Sequence, residues 1–93
     1  TPNGHLHETV GRLACRLVNQ GKLAESISFC NAIRDPSLRE ESLYLTAALS
    51  GRLGQGLDYW KIAKDQNLNA LETCAAAAGL VVGMQSGKSN QKR

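Results

Sequence analysis

Two apolar runs of helical period, joined by only a few residues, leave this chain few folds to choose from. Leu6, Val10, Leu13, Ala14, Leu17 and Val18 recur at intervals of three and four, the spacing that lines one side of an α-helix. Gly21 follows where a helix C-terminus favours glycine. Leu23, Ala24, Ile27, Cys30 and Ile33 repeat the period and stop before Asp35-Pro36, because proline pushes the residue before it out of the helical region. The spacing predicts a first helix over about 6–20 and a second from Leu23 to the Asp35-Pro36 break. So short a connection makes the two antiparallel neighbours.

Ser37 opens a third helix, with Glu40 three residues on in the capping-box spacing. Its apolar positions are Leu38, Leu43, Leu45, Ala47, Ala48 and Leu49, and Gly51 and Gly54 are expected to break it. Leu57, Trp60, Ile62 and Ala63 carry a fourth helix ending near Gln66; Asn69 can cap a fifth that runs through Leu71, Cys74, Ala75, Ala78, Leu80, Val81 and Met84. Nothing alternates with period two, so the class is all-α, with about five helices. Gly21 and Gly54 lie 33 positions apart, close to the tetratricopeptide repeat of 34. The first pair is similar to that motif at Val10, Leu13, Ala14, Leu17 and Glu25-Ser26-Ile27; the second is degenerate, with Thr46 and Ser50 where Leu and an aromatic belong. The expected architecture is a tetratricopeptide-like antiparallel helix-pair stack with the fifth helix as a C-terminal cap. Residues 1–5 read as a flexible N-terminus, 6–86 as the helical domain and 87–93 as a disordered basic tail.

The net charge of +3 comes entirely from Lys88, Lys92 and Arg93; the rest carries eight basic and eight acidic side chains. A neutral body has no general attraction for phosphates, so nucleic acid is not an expected partner. Cys15, Cys30 and Cys74 are odd in number, widely spaced and set in apolar helical patterns. They read as reduced cytosolic thiols rather than a disulfide framework or a zinc site. The longest low-polarity run, Ala75 to Met84, is ten residues, about half of what a spanning helix needs, and no signal-peptide pattern opens the chain. His5 and His7 point to different faces of a helix and lack further metal ligands at suitable spacing. Neither histidine is placed beside a cysteine as a nucleophile's base would be. Gly83-Met84-Gln85-Ser86-Gly87-Lys88-Ser89 has three residues between its glycines where a phosphate loop has four, and no strand precedes it. No catalytic, cofactor or metal constellation survives, and no enzyme activity or cofactor is expected.

In such a stack one face is lined by first-helix positions that do not pack between helices. Here these map to Glu8, Gly11, Cys15, Val18 and Asn19, then Tyr44, Ala48 and Arg52. A water-facing surface ought to be polar there, yet Cys15, Val18, Tyr44 and Ala48 are not, and contiguous exposed apolar surface marks a partner site. The expected partner-binding groove is Cys15, Val18, Asn19, Tyr44, Ala48 and Arg52, suited to an amphipathic helix presenting residues at i, i+3, i+4 and i+7. Shifted by one position, the same residues are ordinary core. Tyr59 and Trp60 are expected to bury as core or cap rather than to anchor a partner.

Taken in order, Asn19-Gln20-Gly21-Lys22, Asp35-Pro36-Ser37-Leu38-Arg39-Glu40, Leu53-Gly54-Gln55-Gly56 and the small-residue stretch ending at Gly79 to Met84 resemble the tetratricopeptide-type chaperones of type III secretion needle subunits, the YscG-like family. The resemblance covers roughly residues 12–84. The third helix is richer in Ser, Thr and Tyr than that family's pattern, and the family's first helical segment is only partly represented. The resemblance implies a bacterial cytoplasmic chaperone that pairs with a small helical co-chaperone in a hetero-oligomer. Together they would hold the needle subunit as a monomer by burying its C-terminal helix. A general tetratricopeptide adaptor in a stable assembly is the alternative.

Overall fold

The computed structural model describes the backbone of residues 2–91 and the side chains of residues 9–86. It forms five helices: α1 (Pro2–Asn19), α2 (Leu23–Asn31), α3 (Pro36–Arg52), α4 (Gly56–Asp65) and α5 (Ala70–Gln91). No strand occurs among the described residues.

Two glycines make the hairpins. Gly21 has φ +79° and Gly54 φ +81°, a region where any side chain is strained. At the first, Lys22 N–H donates to the Leu17 carbonyl at 2.9 Å and Gly21 N–H to Val18; at the second, Gln55 N–H donates to Ser50 at 2.8 Å and Gly54 N–H to Gly51. Both are Schellman endings, which satisfy carbonyls the helix leaves open. Each turn folds the next helix back on its predecessor. Ser26 Oγ donates to the Ala14 carbonyl at 2.8 Å across the first turn, and Thr46 Oγ1 and Tyr59 Oη pair at 2.7 Å across the second.

The hairpins stack with a stride of 34 to 35 positions. Gly11 of α1 faces Leu45 of α3, 34 positions on, while Tyr44 and Ala48 of α3 lie under Gly79 and Gly83 of α5, each 35 positions on. The odd-numbered helices therefore run parallel in one layer, and α2 and α4 touch in a second. This is an antiparallel helix-pair stack capped by α5. α3 is in contact with all four other helices, whereas α1 and α5 do not meet among the described residues. Between the layers lies the core of Val18, Leu23, Ile27, Ala47, Tyr59, Ala63, Ala76 and Leu80, with Ala14, Cys30 and Leu43 beside it.

Several boundaries differ from the sequence expectation, for local reasons. α3 is capped by Asp35, whose Oδ1 accepts from Ser37 N–H at 3.0 Å and Leu38 N–H at 3.4 Å, so Ser37 lies inside the helix. Pro36 takes the first helical position, where its fixed φ suits the helix and its missing N–H is no loss. The reciprocal capping box belongs to α5: Asn69 Oδ1 accepts from Glu72 N–H at 2.8 Å and Glu72 Oε1 from Asn69 N–H at 3.1 Å. Gly51 does not break α3, which continues to Arg52. The backbone is already helical at Pro2 and remains so to Gln91, across most of the stretches read as flexible start and disordered tail, since lengthening an existing helix avoids the cost of nucleating one. Thr1, Lys92 and Arg93 lie outside the described residues.

The degenerate second pair also has a physical account. Tyr59 of α4 is fully buried and reaches across to Thr46 of α3. Its hydroxyl needs a partner there, and Thr46 Oγ1 supplies one, with the Leu43 carbonyl accepting at 3.1 Å.

Candidate functional site

The site begins with how closely α5 approaches α3. A methyl group on Gly79 would overlap the Tyr44 carbonyl, and one on Gly83 would overlap that of Ala48. On the other side of the contact, a Cβ on Gly51 would stand 2.9 Å from the Leu80 oxygen and the Met84 nitrogen. Glycine on both helices lets backbone meet backbone. This places Val82, Gly83 and Ser86 of α5 level with Ala48 and Arg52 of α3.

α1 stands on the other side of α3 with ordinary clearance, since a Cβ on Gly11 would be 3.6 Å from Leu45 Cδ1. The three helices bound a solvent-open groove of about 350 Å³, lined by Cys15, Leu45, Ala48, Leu49, Arg52, Val82, Gly83 and Ser86. Its walls are apolar except at Arg52 and Ser86. Leu45 is 39% exposed and Val82 47%, so large apolar side chains face water here.

Of the six residues expected in the groove, the structure brings together Cys15, Ala48 and Arg52. Val18 must be corrected. It is fully buried between the layers and belongs to the core, because on α1 it shares the inward side with Ala14, one turn away. Asn19 is exposed at the end of α1 and Tyr44 is half-buried, and neither lines the groove. Gly11 is buried against α3, and the Glu8 side chain lies outside those described. The residues missed are Leu45, Leu49, Val82, Gly83 and Ser86. For Leu45 and Leu49 the signal was their spacing with Ala48 and Arg52 along one face of α3; Val82, Gly83 and Ser86 of α5 carried none.

Burial raises the pKa of the Cys15 thiol. In the core, desolvation pushes Cys30 up to about 12, partly offset by a hydrogen bond with Thr46. These are poor nucleophiles, suited to packing. A second apolar depression of about 370 Å³ lies among Val10, Phe29, Ala32, Ile33 and Leu38. Phe29 and Ile33 there pack directly onto the smaller core cluster, so it is the rim of the core.

No group of three His, Cys, Asp or Glu side chains that could hold a metal ion occurs among the described residues; the side chains of His5 and His7 are not among these. No helix of the described residues is long and apolar enough to cross a membrane. No protein-family model, curated protein or solved structure matches this chain.

Proposed function

We propose that this chain holds another polypeptide and is a chaperone of the type III secretion needle-subunit kind. In the bacterial cytoplasm, with a small helical co-chaperone, it keeps the needle subunit monomeric by burying that subunit's C-terminal amphipathic helix in the α1–α3–α5 groove. Premature polymerisation is thereby prevented, by binding rather than by catalysis. The observation that carries the holding role is the groove itself, where Leu45 and Val82 stand exposed beside Ala48 and Cys15. An amphipathic helix covering them removes apolar surface from water at about 25 cal/mol per Å². The identity of the client rests on the resemblance of the turn and break motifs.

A general adaptor in a stable assembly is the second reading. It is favoured by Leu71 and Val81, 66% and 55% exposed on α5, since a terminal helix of a stack is ordinarily polar on its outer side. Coexpression with a needle subunit and its co-chaperone tests the proposal. The expected result is a soluble complex with a monomeric client, lost in Leu45→Glu, while circular dichroism stays unchanged. A purified chain that is stable alone and leaves both the client and a hydrophobic helical peptide unbound would overturn it.

A further inference from the structure

We infer that the groove takes an amphipathic helix bearing an aspartate or glutamate beside its apolar stripe, with that carboxylate seated on Arg52. This rests on the groove being the site where a client is held. Among the described residues, Arg52 is the only formally charged one in the groove wall. It is exposed in the last turn of α3 and makes no ion pair among the described residues.

Its surroundings reinforce its sign. Arg16 is exposed on neighbouring α1, and residues 73–87 of α5 contain no Asp, Glu, Lys, Arg or His. On the groove side of α3 the nearest acid in helical register is Glu41, about three turns and roughly 16 Å away along the axis. The end of the groove at Arg52 is thus positive although the body of the chain is neutral. A guanidinium offers a planar fork that a carboxylate can meet with two hydrogen bonds. The guest's apolar stripe covers Leu45, Ala48 and Val82, and its acidic residue falls on Arg52. A guest with lysine at that place meets like charge.

The test uses the full chain and three designed, fluorescein-labelled helical peptides of about 18 residues. They share one apolar stripe and carry Glu, Gln or Lys beside it. Fluorescence anisotropy is expected to rank them Glu, Gln, Lys, with Glu about tenfold tighter than Lys at low salt. The gap should shrink towards 1 M salt, where the screening length falls to about 3 Å. Arg52→Glu should reverse the order and Arg52→Gln should shrink it severalfold, with unchanged circular dichroism for both, since the side chain is exposed. Equal affinities for all three peptides, or a ranking undiminished by both substitutions, overturns the acidic-guest inference and leaves the groove reading standing. Failure of every peptide to bind the unsubstituted chain overturns both.

Discussion

α3 meets its two neighbours in the parallel layer by opposite means. Towards α5 the contact is made by backbone: Gly79 and Gly83, four apart, sit on the carbonyls of Tyr44 and Ala48, and Gly51 returns the fit. Towards α1 it is made by side chains, with Leu45 at ordinary distance from Gly11. The first seam closes, and weak Cα–H···O contacts become possible along it. The second leaves room, and the groove occupies that room. Glycine placement thus decides where the stack is sealed and where it can accept a guest.

The comparison is broken most severely by moving charge across it. Val18→Glu places a carboxylate in the core and should cost more than about 4 kcal/mol, with loss of cooperative unfolding by circular dichroism. Leu45→Glu, on the open side, should cost less than about 1 kcal/mol and show its effect in client binding instead. Comparable losses for the two would mean that the groove is core. Next in size is one substitution made on each seam. Gly83→Ala should destabilise by about 3 kcal/mol, lowering the thermal midpoint by roughly 12–24 °C. Gly11→Ala should be neutral or gain up to about 1 kcal/mol from helix propensity. Equal and opposite-free behaviour at the two sites would remove the distinction drawn between the seams.

A smaller effect sharpens the α3–α5 side. The Glu72 side chain is 4% exposed and ion-paired to Arg39, whose Nη1 also donates to the Ile33 carbonyl at 2.8 Å. Glu72→Gln should cost about 2 kcal/mol in urea unfolding, and much less in an Arg39→Met background. The smallest effect comes from pH. Cys30 has a folded pKa of about 12 against 9.0 for the free group. An acid raised on folding stabilises only while protonated, so its contribution is complete below about pH 9 and is lost as pH rises towards 12. By pH 10 the loss should be about 1 kcal/mol, read as a lower urea midpoint and clearly smaller in Cys30→Ala. Tyr59, also raised by burial, acts with the same sign.

What could be read from the sequence was whatever acts locally through the backbone. Gly21, Gly54 and the Asn69 cap signal their own conformations, and the helices of the first hairpin carry a clear period. α3 resisted reading because its inward face is partly polar. Ser42, Thr46 and Ser50, four apart, are all buried, with Thr46 Oγ1 donating to the Ser42 carbonyl at 2.9 Å and Ser50 Oγ to that of Thr46 at 2.8 Å. Thr46 and Ser50, bonding their own helix, can go inside, whereas the buried Ser42 Oγ has no hydrogen-bond partner among the described residues; an apolar-period rule counts all three as outside. The consecutive apolar residues Leu43-Tyr44-Leu45 and Leu80-Val81-Val82 likewise hide which member faces in. Gly51 read as a breaker because the approach of a distant backbone leaves no mark on its own neighbours. Only Cys15, Ala48 and Arg52 of the groove were legible for this reason: Leu45 and Leu49 sit in unbroken apolar runs of α3 that hide their facing, and Val82, Gly83 and Ser86 come from α5, whose position depends on packing some 35 residues away in the chain.

That last wall sets an order of events during synthesis. α1 to α4 precede α5 in the chain, and until α5 docks nothing is seated on the Tyr44 and Ala48 carbonyls of α3. Cys15, Leu45 and Arg52 belong to that earlier part of the chain, and Val82 and Ser86 to the part that follows. A nascent chain therefore has half a cradle, and the complete one exists only after α5 has docked on its glycines.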